Sequence, residues 1–142
     1  MFVVATTRRP WDVARALLAG PFADARARQL CVFPGVAERA QFLAARPDLR
    51  AAGVDARGVA TDEHTRGYTY ADLLALERNA AAAAAHRLLV AMRAHPAASA
   101  DGVVEIDLSA PRVVPADVTR ALATTHPSCA PDEQLRYTLW KP

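Results

Sequence analysis

Lysine is nearly missing from this chain of 142 residues: among its seventeen basic residues only Lys141 is a lysine. The Gly-x-x-x-x-Gly-Lys-Ser/Thr phosphate loop is therefore absent, and no Gly-x-Gly-x-x-Gly occurs either. Both motifs work by turning consecutive backbone N–H groups toward phosphate, so nucleotide cradling by a glycine-rich loop has no support. Aromatic residues make up only 6% of the chain, which leaves little surface for stacking bases. The formal net charge of +2 gives no field strong enough to argue for a polyanionic partner, and the arginines are scattered rather than grouped. Direct nucleic-acid binding is not expected. No apolar run approaches the roughly 18 residues of a membrane span, and no leader-like apolar stretch follows the first methionine. A cytoplasmic protein without membrane contact is expected, with reduced thiols at its two cysteines, Cys31 and Cys129.

What is present is ordinary for a globular chain: 52% hydrophobic and 23% charged residues. The hydrophobic share leans on alanine, so the core should be thin in large side chains. The length suits a single domain over residues 1–142. Arginine in place of lysine reads mainly as a codon-composition bias, with an arginine-built phosphate site as the functional alternative.

Along the chain, FVVATT (2–7), QLCVF (29–33), GVVEIDLS (102–109) and LRYTLW (135–140) read as strands, and VDARGVAT (54–61) as a weaker one. Cys31 would sit buried in the second. Between them, WDVARALLAG, the segment from Pro34 to about Gly53, residues 69 to about 95, and the stretch from Pro115 read as helices. Thr69 and Asp72 have the spacing of a capping box at the start of the long helix. The alanines at 80–85 favour helix and close packing. Strands alternating with helices predict an α/β fold: a mainly parallel sheet flanked by helices, a RecA-like or Rossmann-like three-layer arrangement without a phosphate loop. Ligands of such sheets bind beyond the carboxyl ends of the strands. Those ends carry Arg8 and Arg9 after the first strand and Asp107 in the fourth.

The stretch TDEHTRGYTY (61–70) is the densest in reactive side chains. Its simplest role is the polar approach to a capped helix; ligand reading by Asp62, His64, Arg66 and Tyr70 is the second. Nucleophilic catalysis has one conceivable pair, His126 and Cys129 in HPSC, where a histidine can activate a thiolate. Metal binding needs three or four ligands, and HPSC supplies two. No metal and no cofactor is expected.

The C-terminal half carries Leu76, Glu77, Arg78 and Asn79 on a helix, Ile106 and Asp107 at a strand end, and Thr125, His126 and Pro127 after the next helix. In these residues it resembles the methanogen/methylotroph sensory (MEDS) domain family. Upstream, Leu49, Gly53, Val54 and Asp55 follow the family's Leu-x-x-x-Gly-x-Asp segment. The likeness spans about residues 28–129 with a shortened middle. It departs where the family has an early histidine and a Gly-Glu-Met-like strand, and where Ile106 replaces a tyrosine. It implies a RecA-like fold and a sensor of small molecules that feeds transcriptional control.

These readings converge on a non-catalytic sensory or regulatory domain that binds a small ligand or a protein partner through Arg8, Arg9, Trp11, Asp62, His64, Arg66, Tyr70 and Asp107. A protein-interaction module of the inhibitor or immunity type is the first alternative. A small hydrolase or transferase using His64 or the His126/Cys129 pair is the second.

Overall fold

The computed structural model describes residues 4–13, 15–20, 24, 28–94 and 112–140, and among them there are helices and no strands. A short 3-10 helix, Pro10–Asp12, precedes α1 (Arg15–Ala19), α2 (Val36–Ala44), α3 (Pro47–Ala51), α4 (Ala56–Val59), α5 (Asp62–Thr65), α6 (Tyr70–Ala94), α7 (Pro115–Thr124) and α8 (Pro131–Leu139). The α/β expectation, with its RecA-like parallel sheet, is therefore corrected to a helical fold. Two compact units divide the chain: one joins residues 1–32 with 130–142, the other is residues 33–129.

Each misread strand has a local cause. QLCVF carries apolar residues but no regular structure; Val32 is 71% exposed, and Cys31 is exposed rather than buried. VDARGVAT contains α4, whose start is fixed by the Asp55 carboxylate accepting the Arg57 N–H at 3.1 Å. An aspartate N-cap of this kind outweighs a weak apolar alternation. LRYTLW falls largely in α8, which begins with a proline and carries Asp132 and Glu133 in its first turn. Those are helix-start signals, and a two-residue alternation over six positions is too short to overrule them. The described part of FVVATT, residues 4–7, forms no strand, and GVVEIDLS lies outside the described residues.

The unit of residues 33–129 holds the core. Arg39 and Leu43 on α2 face inward four residues apart. Pro47 starts α3, and a left-handed glycine ends it: Gly53, at φ 66°, lets its N–H reach the Arg50 carbonyl and that of Val54 reach Leu49. This satisfies the Leu49 and Arg50 carbonyls at the end of the helix, and glycine meets the left-handed backbone without a Cβ clash.

The long helix α6 buries a single stripe, Leu73, Leu76, Ala80 and Ala84, at steps of three and four. Its alanines offer little bulk, so α7 packs along it through Val118 and Ala121. Leu43, Leu49, Ala60, Tyr68 and Val113 complete this core.

The start of α6 is a reciprocal cap. The Asp72 N–H donates to the Thr69 hydroxyl at 3.2 Å, while the Asp72 carboxylate accepts the Thr69 N–H at 2.8 Å and hydroxyl at 2.9 Å. Burial pushes the Asp72 carboxyl up, but these bonds and those from Ser128 outweigh it and hold it below the ordinary aspartate range. A carboxyl depressed in the folded state contributes stability above that range and loses it as pH falls through its folded value. Thr69→Ala is therefore expected to cost about 0.5–2 kcal/mol near neutral pH. Its difference from wild type should narrow in acid, because protonated Asp72 has less to accept. His64→Ala, at an exposed position, should stay within about 0.5 kcal/mol of wild type. Urea titrations at neutral and acid pH measure both. A larger loss at His64 than at Thr69 would reverse the assignment.

Candidate functional site

In the unit of residues 1–32 and 130–142, the segment before α1 lies along α8. The Tyr137 hydroxyl donates to the Arg8 carbonyl. The Trp11 and Tyr137 rings meet edge to face with centroids 5.0 Å apart, and the Arg136 guanidinium lies 5.9 Å from the Trp11 ring. Aromatic and cation–ring contacts of this kind hold two segments in a fixed orientation. Beside them opens a pocket of about 450 Å³ lined by Thr7, Arg8, Arg9, Asp12, Val13 and Glu133. Its volume falls in the range of small-molecule sites.

The pocket's electrostatics are mixed. Arg9 stands between two carboxylates: Nη1 is 3.8 Å from Asp12, and Nε is 4.0 Å from Glu133. The Arg9 and Asp12 side chains are 67% and 59% exposed, and Glu133 is 31%. Pairs so long and so wet contribute little to stability and exchange partners readily. The Arg8 side chain forms no ion pair among the described residues. Arg8 and Arg9 both line this pocket, and the described residues before them form no strand. Trp11 is their neighbour and braces α8 instead of lining the pocket. Asp12, Val13 and Glu133 were not expected there. Asp12 follows Arg9 at a spacing that joins side chains on one turn, which was a usable signal. Glu133 is remote in sequence, and no local pattern links it to Arg9.

The other candidates belong to the unit of residues 33–129, where several of them are structural. Asp62 opens α5 and accepts from the buried Arg39 guanidinium at 2.5 Å. Arg39 also donates to the carbonyls of Ala60 and Pro34. His64 and Arg66 are exposed. Tyr70, 47% exposed, begins α6, and its ring lies 5.3 Å from that of Phe42. Asp107 lies outside the described residues.

Further charges in this unit are spent on packing. Arg46 meets Glu77 at 2.8 Å, and the hydrogen bond to that carboxylate raises the Arg46 guanidinium above its ordinary value. Arg87 meets Asp117 at 3.0 Å. The Arg87 hydrogen bond holds the Asp117 carboxyl below its usual range although burial pushes it up. Asp117 also accepts the Val114 N–H at 3.0 Å, which closes the start of α7. The Tyr68 hydroxyl donates to the Thr125 carbonyl, and Asn79 donates to the Thr125 hydroxyl at 2.8 Å. Burial, helped by the nearby Asp72 charge, pushes the Tyr68 phenol up.

His126 is exposed and Cys129 is buried. A buried sulfur is a poor starting point for attack on a substrate. No group of three potential metal ligands occurs among the described residues. None of the described helices is long and apolar enough to cross a membrane. Comparison with models of protein families, with curated proteins and with solved structures finds no match to this chain.

Proposed function

We propose that this chain is a non-catalytic regulatory module that holds a small charged ligand in the pocket between Arg8 and Glu133. One observation carries the reading: the pocket gathers ionisable side chains, and the pairs that Arg9 makes across it are long and leave Arg9 exposed, so a ligand can replace those pairs without unmaking the core. The ion pairs of residues 33–129 differ in that each has one partner whose side chain is at most 10% exposed. Arg39 with Asp62, Arg46 with Glu77 and Arg87 with Asp117 are short and join separate segments of the fold. Those pairs read as architecture, and the pocket reads as the place left for chemistry with a partner.

The position of the pocket supports a regulatory output. Its walls come from the segment before α1 and from α8, two stretches far apart in the chain. A ligand touching both would tighten their docking, and that is differential binding of the kind that shifts a conformational equilibrium. The resemblance of residues 28–129 to the MEDS family adds transcriptional control as the expected destination of that signal. The sheet that the resemblance implies is not found among the described residues, so the reading rests on the pocket.

Native mass spectrometry of the chain purified gently from its own host tests it. A small molecule retained by the wild type and lost from the Arg8→Ala/Arg9→Ala variant is the expected result. A retained molecule that survives both substitutions would place the site elsewhere. A retained protein would favour the interaction module instead.

A further inference from the structure

We infer that the ligand of this pocket is a zwitterion of the α-amino-acid type, carrying a carboxylate and an ammonium a few bonds apart. The inference rests on the ligand-binding reading above and narrows it to a chemical class.

The charge pattern of the lining carries the argument. Among the described residues, two guanidinium groups and two carboxylates, Arg8, Arg9, Asp12 and Glu133, line one pocket with no formal excess of either sign. A simple anion would be drawn to the arginines and repelled by the carboxylates; a simple cation would meet the reverse. Either would find attraction largely cancelled at this range. A molecule carrying both charges gains from both sets. The spacing sets the distance between its charges: the Arg9 guanidinium lies 3.8 Å from Asp12 and 4.0 Å from Glu133. A ligand matching this lattice must place opposite charges a few ångströms apart, as an α-ammonium and its carboxylate do.

The individual groups fit those roles. The Arg8 guanidinium, in no ion pair among the described residues, is the natural donor to a carboxylate, and a planar guanidinium can bind one with two parallel N–H donors. Asp12 and Glu133 then face the ammonium, with Arg9 turning from them toward the carboxylate. The Thr7 hydroxyl oxygen accepts the Arg9 N–H at 3.0 Å, which leaves its own hydrogen to donate to the carboxylate. Val13 offers the apolar surface for an aliphatic side chain. The volume of about 450 Å³ leaves room for a side chain beyond the two charged groups.

The test uses the full chain and calorimetric titration with the twenty free L-amino acids, and with propionate and ethylammonium as the two halves of alanine. At least one amino acid is expected to bind tenfold or more tightly than either half. Arg8→Ala should weaken that amino acid tenfold or more. Glu133→Gln, which keeps the side chain's size, should weaken it while propionate, relieved of one repelling carboxylate, binds as tightly or more tightly; circular dichroism first establishes that each variant is folded. Propionate binding as tightly as the best amino acid would overturn the zwitterion and leave an anion pocket, so the broader reading would stand. Failure of every probe, with a different class of molecule retained in native mass spectrometry, would overturn the zwitterion alone. Failure of every probe with nothing retained would overturn both.

Discussion

Arg39→Ala is expected to destabilise the unit of residues 33–129 by roughly 3 kcal/mol, measured by urea unfolding. Arg39 is only 4% exposed, yet its guanidinium makes four hydrogen bonds. Nε and Nη2 donate to the Ala60 carbonyl at 3.2 and 3.0 Å, and Nη1 donates to the Pro34 carbonyl at 3.0 Å. These carbonyls flank the segment that leads into α2 and the end of α4, so one side chain of α2 ties three parts of the chain together. Truncation leaves acceptors without their donor at about 1–3 kcal/mol each and removes the packing of the aliphatic stem. Asp62, by contrast, is 65% exposed. Asp62→Ala should therefore cost under about 1 kcal/mol, because water can replace an exposed carboxylate. Arg39→Met separates the contributions: it keeps most of the stem and loses every donor. A cost for Arg39→Ala below about 1 kcal/mol would mean that water satisfies both carbonyls and that the arginine is not a staple.

This arginine also shows what sequence could and could not reveal. At α2 positions 39 and 43 the buried face holds an arginine and a leucine four apart. A charged residue on the inward stripe is invisible to a search for apolar periodicity, and its partners Pro34 and Ala60 act through backbone carbonyls that carry no side-chain signature. Caps are different, because they are local. Thr69 with Asp72, and Gly53 after α3, were legible since each depends on residues a few positions apart. The extent of α6, Tyr70–Ala94, was legible from its capping pair and sustained helix formers.

The sheet was misread because short apolar runs do not distinguish a strand from a buried turn of helix or an irregular segment. In α8 the apolar alternation of Leu135, Tyr137 and Leu139 is real, but Tyr137 reaches the Arg8 carbonyl while Leu135 and Leu139 stay 58% and 69% exposed. Alternation there marked one docked side chain between two exposed ones, not one face of a sheet. The candidate site was half legible for the same reason. Arg8 and Arg9 stood out as an adjacent pair, whereas Glu133 joins them only through the docking of α8.

Leu76→Ala is expected to cost about 2–5 kcal/mol, the range for deleting a buried leucine whose cavity the surroundings cannot fill. Leu76 is fully buried, and its neighbours along the α6 stripe are Leu73 on one side and Ala80 and Ala84 on the other. Alanines have no rotamers with which to close a void, and α7 contributes Val118 and Ala121, both small. The upper half of the range is therefore expected. Total stability of a domain this size is about 5–15 kcal/mol, so the variant should unfold at a much lower urea concentration. The same change at Leu89, 52% exposed on the same helix, should stay within about 0.5 kcal/mol of wild type. The two substitutions share chemistry and helix propensity, so the gap between them isolates burial. Equal effects at Leu76 and Leu89 would mean that α6 does not present the 73–76–80–84 stripe to the core, and the helical packing described for this unit would fall with it.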